Sequence, residues 1–215
     1  RLVAYSGDGR TVAVGNRDGA VQLRQVVTGE AGPLLVGSTG SIVALAFSAD
    51  GKMVVTGGKE GHLCLWTLPT GQLHQVVETK AGAIDALAFS ADGKFLASTH
   101  WDRAVRLWTL DDQARLQLRD TLLGHTHVIW SVAFGPRLKL GGAKNHSEMH
   151  PGGPQLLATG SSDQTVRVWD AETGQAIYTL RGQPRALSAL AISPLSKTQP
   201  APATGARATW QPTPS

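Results

Sequence analysis

Apolar and polar residues alternate in short runs along most of the chain, and Asp-Gly or Thr-Gly pairs separate the runs. Alternation with a period of two is typical of strands with one buried face, and such pairs are typical of turns. Between residues 84 and 121 the pattern predicts four strands, near 84–89, 94–99, 103–109 and 115–121. No long helical pattern competes with these runs, so we predict an all-β chain.

The same set of strands and turns recurs every 42 residues. The run Ala-Leu-Ala-Phe-Ser-Ala-Asp-Gly-Lys at 44–52 returns at 86–94, and Leu-Trp-Thr-Leu at 65–68 returns at 107–110. Four-stranded units of this period are typical of β-propeller blades, which bury their faces against neighbouring blades. We therefore predict four blades and part of a fifth, at residues 1–30, 31–72, 73–113, 114–176 and 177–194.

The C-terminal part of the chain departs from this period. Trp169 follows Trp108 by 61 positions, so about 19 residues have been inserted, and we assign the insertion to a surface loop at 137–154. Residues 195–215 are rich in proline, threonine and alanine and lack strand alternation. They are predicted to be a disordered tail.

Three motifs in the fourth repeat resemble the WD40 repeat family: Gly-His at 124–125, Ser-x-Asp at 161–163 and Trp-Asp at 169–170. The resemblance implies a β-propeller of WD40 type. It also implies a hydrogen-bonded chain that stabilises the blade, which here involves His125, Thr159 or Ser161, Asp163 and Trp169. Propellers of this family usually have seven blades, so we expect the chain to be a fragment of a larger propeller.

The other repeats retain only part of this hydrogen-bonded chain. Trp66 and Trp108 occupy the tryptophan position, and Asp102 occupies the aspartate position of the third repeat. The substitutions are Arg24 for the tryptophan of the first repeat, Ser38 and Glu60 for the histidine and aspartate of the second, and Lys80 for the histidine of the third. A histidine, a serine and an aspartate in one repeat also permit a catalytic-triad interpretation, but the structural role implied by the family accounts for all three. We predict that the protein is not an enzyme.

The family resemblance also implies where partners bind, near the start of each inner strand and at the residue before each turn aspartate. The candidates are Val43, Asp85, Trp130 and Ser188 on the inner strands, and Arg17, Lys59, Trp101 and Ser162 before the turns. The same geometry predicts that Trp101 neighbours Trp130 and that Lys59 neighbours Asp85.

Trp101 and Trp130 lie outside the tryptophan position that defines the repeat. We hypothesise that they form an aromatic anchor at the rim of the central channel, with Asp85 available to pair with a cationic side chain of a partner, since tryptophan often dominates binding energy. The alternative is that both rings fill space between blades, because large aromatic side chains are usually mostly buried.

Composition limits the expected cellular location of the protein and its capacity for disulfide bonds and metal binding. Cys64 is the single cysteine, so no internal disulfide is possible, and no apolar run or signal-peptide pattern predicts membrane insertion or secretion. We therefore expect a soluble, cytoplasmic protein, and a nuclear location is also compatible. His146 and His150 have a spacing that could hold a metal, but Pro151 follows and no third ligand is near, so we interpret them as part of a solvated loop. We predict no cofactor.

The favoured function is a scaffold or sensor that binds proteins or peptides, for example as one part of a multidomain regulator. An RNA- or chromatin-associated propeller is the alternative. It is motivated by a pI of about 9.5 and by Arg137, Lys139 and Lys144 in the insertion. The charge balance of 20 basic against 16 acidic residues is spread along the chain, which makes nucleic acid the less favoured partner.

Overall fold

The structure, a computed structural model, describes residues 2–16, 18–37, 40–137 and 153–182. Within these ranges sixteen strands form four antiparallel sheets of four strands each, so the predicted all-β class is confirmed. No helix among the described residues is long and apolar enough to cross a membrane.

Each sheet is a meander in which consecutive strands are neighbours. The first sheet contains β1 (Leu2–Tyr5), β2 (Thr11–Gly15), β3 (Val21–Gln25) and β4 (Ala31–Leu35). The second contains β5 (Ile42–Phe47), β6 (Met53–Gly58), β7 (His62–Thr67) and β8 (Gln72–Glu78).

The third sheet contains β9 (Ile84–Phe89), β10 (Phe95–His100), β11 (Val105–Leu110) and β12 (Leu116–Leu122). The fourth contains β13 (Ile129–Arg137), β14 (Gln155–Ser161), β15 (Val166–Asp170) and β16 (Ala176–Leu180). The four strands predicted between residues 84 and 121 coincide with β9 to β12 apart from small differences at their ends.

The sequence repeats and the sheets are offset by one strand. β4 lies at the start of the predicted unit 31–72, and β12 lies at the start of the predicted unit 114–176. Each of these strands nevertheless pairs with the strand that precedes it in the chain, β4 with β3 and β12 with β11. A predicted unit therefore supplies the outer strand of one sheet and the three inner strands of the next.

Three apolar cores hold the four sheets together in chain order. The first strands of consecutive sheets contact each other, β1 with β5, β5 with β9 and β9 with β13. In the second sheet, Val54 and Trp66 pack towards the first sheet, whereas Val55 and Leu65 pack towards the third. Strands buried on both faces need apolar residues at consecutive positions, which explains the runs Met-Val-Val and Leu-Cys-Leu-Trp.

The Asp-Gly pairs form tight turns between the first two strands of the sheets. In the third sheet, the Ser90 hydroxyl donates to Asp92 Oδ1 at 2.7 Å and accepts the N–H of Phe95 at 2.9 Å. Gly93 has a φ of 70°, a conformation that costs little only for glycine. The serine–aspartate hydrogen bond recurs in the first and second sheets, which accounts for the repeated Ser-x-Asp-Gly motif.

Several predicted features lie outside the described residues. They are the candidates Arg17 and Ser188, the substituted position Ser38, most of the insertion at 137–154 with His146 and His150, the end of the partial fifth blade from residue 183 onwards, and the tail at 195–215.

Candidate functional site

Two arrangements of side chains dominate the described structure, and the first is a buried hydrogen-bonded chain in the fourth sheet. The indole N–H of Trp169 donates to the Thr159 hydroxyl at 2.9 Å, and that oxygen lies 2.8 Å from His125 Nε2. His125 Nδ1 lies 2.8 Å from Asp163 Oδ2. This hydrogen-bonded chain connects β14, β15 and the segment before β13, and it therefore stabilises the fourth sheet.

The pKa shifts of His125 and Asp163 indicate where the protons of this hydrogen-bonded chain lie. Burial is the main reason that the pKa of His125 is lowered, despite the neighbouring carboxylate. Burial alone would raise the pKa of Asp163, but hydrogen bonds from Thr165, His125 and the Thr126 N–H together lower it to about 2. A neutral imidazole therefore donates from Nδ1 to a charged Asp163, and its Nε2 accepts the Thr159 hydroxyl proton. Every polar atom in the chain has a partner, which is the arrangement that stabilises a buried network.

The hydroxyl in this chain belongs to Thr159, and Ser161 has a different role. The Ser161 hydroxyl lies 3.0 Å from the carbonyl oxygens of His127 and Val128, and it accepts the N–H of Asp163 at 3.1 Å. Ser161 thus closes the turn between β14 and β15 and does not contact the imidazole. Of the two hydroxyls left open by the sequence, Thr159 joins the histidine to the tryptophan.

In the third sheet an imidazole reaches the equivalent hydroxyl from the second strand itself, and not from the segment before the first strand. The N–H of Trp108 donates to Ser98 Oγ at 2.8 Å, and that oxygen lies 2.8 Å from His100 Nε2. His100 is fully buried on β10, and burial, with a smaller effect of Arg106, lowers its pKa to about 4. Asp102, which we assigned to this network, instead forms a two-pronged ion pair with Arg106, at 3.2 and 2.7 Å.

The first two sheets are simpler. In the second sheet the N–H of Trp66 donates to the Thr56 hydroxyl at 3.1 Å. In the first sheet Val14 and Arg24 occupy the positions that correspond to the hydroxyl and the tryptophan. Arg24 adjoins Leu23, which lies in the core towards the second sheet, so strand alternation places Arg24 on the opposite face. No sheet of the described residues packs on that face, and Arg24 is exposed.

Three residues of these hydrogen-bonded networks were not predicted from the sequence: Thr56, Ser98 and His100. The first two were within reach, because they lie ten residues before Trp66 and Trp108, as Thr159 lies ten before Trp169. His100 was harder to identify, because it aligns with Ser161 and not with His125. Only the side-chain geometry shows that it takes the place of the imidazole that the third repeat lacks.

The second arrangement is built on three equivalent β-bulges near the starts of the inner strands. The strand register shifts between Ile42 and Ala44, between Ala86 and Ile84, and between Ile129 and Ser131. The residues within these shifts are Val43, Asp85 and Trp130. Each follows an isoleucine that is at least 95% buried, so the core fixes one residue while the bulge turns the next.

The residues before the three turns lie beside these bulges. The backbone N–H groups of Lys59, Trp101 and Ser162 donate to the carbonyl oxygens of Ser41, Ala83 and Val128, at 3.1, 3.1 and 2.9 Å. The three bonds occupy equivalent positions in the second, third and fourth sheets. They hold each pre-turn residue next to the inner strand of its own sheet.

Most of the bulge and pre-turn residues line a cavity of about 620 Å³. We call it the tryptophan cavity; its lining residues are Val43, Lys59, Ala83, Asp85, Trp101 and Trp130. Trp101 is 60% exposed and Trp130 is 42% exposed, so neither ring fills space inside a core. All the lining residues except Ala83 were candidates for partner binding, and the structure brings them together. The candidate Ser162 does not line the cavity, although it contacts Trp130.

Both indole N–H groups at the cavity are engaged within their own sheets. Trp101 Nε1 donates to Asp85 Oδ1 at 3.1 Å, and Trp130 Nε1 donates to Ser162 Oγ at 2.6 Å. The sequence predicted that Trp101 neighbours Trp130 and that Lys59 neighbours Asp85, and all four residues line this cavity, but each direct hydrogen bond stays within one sheet. Within the described residues, Trp101 and Trp130 form no ring pair and Lys59 forms no ion pair with Asp85.

Asp85 is the most unusual polar group at the cavity. Its Oδ2 is closed off from water and has no hydrogen-bond partner among the described residues. Burial raises the pKa of Asp85, and the hydrogen bond from Trp101 offsets part of that rise. The described ranges contain no cluster of three or more histidine, cysteine, aspartate or glutamate side chains arranged to hold a metal ion.

Three segments of the chain match the family model described as WD domain, G-beta repeat, at residues 32–67, 71–109 and 116–170. Each segment begins with or near the outer strand of one sheet and ends with the third strand of the next, which is the one-strand offset seen in the fold. The predicted first repeat, the partial fifth and the predicted tail lie outside these matches. The matched segments cover more than half of the sequence, and the chain belongs to the WD40 repeat family.

Proposed function

We propose that this chain is a non-enzymatic interaction scaffold that binds a peptide or an extended protein segment in the tryptophan cavity. WD40 repeats generally mediate protein–protein interactions, and WD40 propellers are typically non-enzymatic scaffolds. One observation carries the proposal for this cavity. Trp101 and Trp130 are exposed at a single cavity although the family framework requires neither of them.

The size and lining of the cavity suit a few side chains of a peptide. Pockets that hold small ligands typically measure about 300–1,000 Å³ and combine apolar walls with few polar groups. The tryptophan cavity has a volume of about 620 Å³, with Val43, Ala83 and two indoles as apolar walls. Asp85 and Lys59 are the polar groups that could orient an occupant.

The rings are held in place before any partner binds. Each indole N–H has an acceptor in its own sheet, and both pre-turn backbones are fixed by hydrogen bonds to the inner strands. A binding surface whose side chains are already ordered loses little conformational entropy when it binds. Tryptophan also offers a large contact area and is enriched among residues that dominate binding energy.

The nucleic-acid alternative has less support in the described residues. Arg137, one of the three basic residues that motivated it, pairs with Glu172 at 2.7 Å and with Asp92 at 3.0 Å. Its charge is therefore neutralised between the third and fourth sheets. Lys139 and Lys144 lie outside the described ranges.

A peptide selection tests the proposal. A displayed library of random 12-residue peptides is selected against the wild-type protein, and the recovered peptides are titrated against Trp101→Ala/Trp130→Ala. We expect binding to weaken at least about 30-fold, since each tryptophan of this kind contributes about 2 kcal/mol. The melting temperature should stay nearly unchanged, because both rings are exposed.

Tyr178→Ala provides the matched control. Tyr178 is 64% exposed on β16 and lies outside the tryptophan cavity, so its loss removes a similar aromatic surface from another place. It should bind the recovered peptides like the wild type. Recovery of no peptide, or equal binding to the double variant, would overturn the proposal.

A further inference from the structure

We infer that the tryptophan cavity selects a segment with mixed charge: a basic side chain placed at Asp85, Trp101 and Trp130, and an acidic side chain placed at Lys59. The inference rests on the proposed function and adds the charges of the occupant and the spacing between them. It is carried by an acid and a base that share one cavity without pairing with each other.

The negative charge at the cavity lacks a cation. Within the described residues, Asp85 has no lysine, arginine or histidine nitrogen within 4.0 Å, and its only hydrogen bond comes from the neutral indole of Trp101. Its Oδ2 also lacks a hydrogen-bond partner and contact with water. Burial without a second partner disfavours the charged carboxylate and raises the pKa of Asp85. A cation that enters the cavity would supply the missing positive charge.

The two indoles favour the same charge. A lysine ammonium or an arginine guanidinium is attracted to the face of an aromatic ring within about 6 Å, and tryptophan is the strongest of the aromatic partners. Trp101 and Trp130 both line the cavity. A basic side chain there could contact the indoles with its apolar stem and place its charge near Asp85.

Lys59 adds the second half of the requirement. It lines the same cavity, is exposed, and forms no ion pair with any described residue. Its N–H bond to Ser41 O fixes its backbone beside Val43. A partner that carried only positive charge would be repelled by Lys59, whereas a partner with an acidic residue on that side would be attracted.

The order of the sheets sets the spacing between the two charges of the occupant. Lys59 belongs to the second sheet, Asp85 and Trp101 to the third, and Trp130 to the fourth. Adjacent packed sheets lie about 10 Å apart, and an extended peptide advances about 3.3 Å per residue. The acidic and basic residues of the occupant are therefore expected within about three positions of each other.

Arrays of synthetic peptides test this chemistry directly. The probes are eight-residue glycine–serine peptides with one arginine and one glutamate at separations of one to four positions, in both orders. Matched peptides replace the arginine, the glutamate or both with glutamine. We expect the wild type to prefer the double-charge peptides at least about tenfold over each single-charge peptide. Trp101→Ala/Trp130→Ala should bind none of them.

Charge variants of the protein test which charged residue of the peptide lies at Asp85 and which lies at Lys59. Asp85→Asn should lose the preference for arginine, and Lys59→Glu should reverse the other preference, so that peptides with glutamine in place of glutamate bind better. Lys52→Glu is the matched control, because Lys52 lies at the opposite end of β6 from Lys59 and changes the net charge equally. It should leave the preference unchanged.

The outcomes separate this inference from the proposed function. Peptides that bind through the tryptophans but bind Asp85→Asn and Lys59→Glu like the wild type would overturn the charge inference alone. The absence of any tryptophan-dependent peptide, in these arrays and in the selection, would overturn both.

Discussion

The buried and the exposed tryptophans of this chain make similar hydrogen bonds in opposite surroundings. Trp66, Trp108 and Trp169 are 1 to 3% exposed, and each donates its N–H to a threonine or serine hydroxyl. Trp130 also donates to a serine hydroxyl, and Trp101 donates to a carboxylate, yet the two residues are 42% and 60% exposed. A satisfied N–H therefore does not distinguish a structural tryptophan from a candidate for binding.

The distinction comes from where the ring lies in the sheet. The buried rings lie on the third strands of the second, third and fourth sheets and pack into the core towards the preceding sheet. The exposed rings lie at a bulge or just before a turn, where none of the four sheets formed by the described residues covers them. Burial of the ring makes a tryptophan important for stability, whereas exposure at a cavity makes it available to a partner.

The largest expected contrast is in stability. Trp169→Ala should lower the free energy of unfolding by about 3–5 kcal/mol, because it leaves a cavity between the third and fourth sheets. Trp101→Ala should change it by less than about 0.5 kcal/mol, as is usual for exposed positions. Urea denaturation followed by circular dichroism measures both. Equal losses would show that Trp101 also supports the fold.

The imidazole beside Trp108 should make stability depend on pH. The pKa of His100 is about 4 in the folded protein and about 6.5 when unfolded, so the unfolded state binds the proton first as the pH falls. Its contribution is complete above pH 6.5 and is lost between pH 6.5 and pH 4, by up to about 3 kcal/mol. Below pH 4 it causes no further loss.

His100→Gln tests this dependence, because glutamine keeps a polar group near Ser98 and does not titrate. The difference in unfolding free energy between wild type and variant should shrink or change sign as the pH falls from 6.5 to 4. The lowered pKa of His125 acts in the same direction in both proteins and cancels in the comparison. A difference that stays constant with pH would contradict the prediction.

The smallest expected effects compare the hydroxyls that serve the buried tryptophans. Thr159→Val should cost about 2 kcal/mol, because it removes the partner of both Trp169 Nε1 and His125 Nε2. Thr56→Val should cost about 1 kcal/mol, because Thr56 serves the N–H of Trp66 alone among the side-chain bonds described. Thermal unfolding of the two variants would rank them. The reverse ranking would mean that the hydrogen bond between Thr159 and His125 contributes little to stability.

The site was predicted more completely at the cavity than in the buried network. The bulge and pre-turn positions repeat with the 42-residue period, so Val43, Asp85, Lys59 and Trp101 could be assigned before the fold was seen. Their contacts could not, because the hydrogen bond from Trp101 to Asp85 depends on the bulge that turns Asp85. The arrays and the selection described above remain the tests of what these residues bind.

The sequence by itself determined the strands, the turns and the recurring tryptophan position, because alternation and Asp-Gly turns act over fewer than about ten residues. Only the tertiary structure decided which tryptophans are buried, that His100 bonds to Ser98, and that Lys59 and Asp85 share a cavity without pairing. These outcomes depend on how whole sheets pack. The residues that meet there come from different sheets or strands, so no local pattern specifies their distance or their exposure.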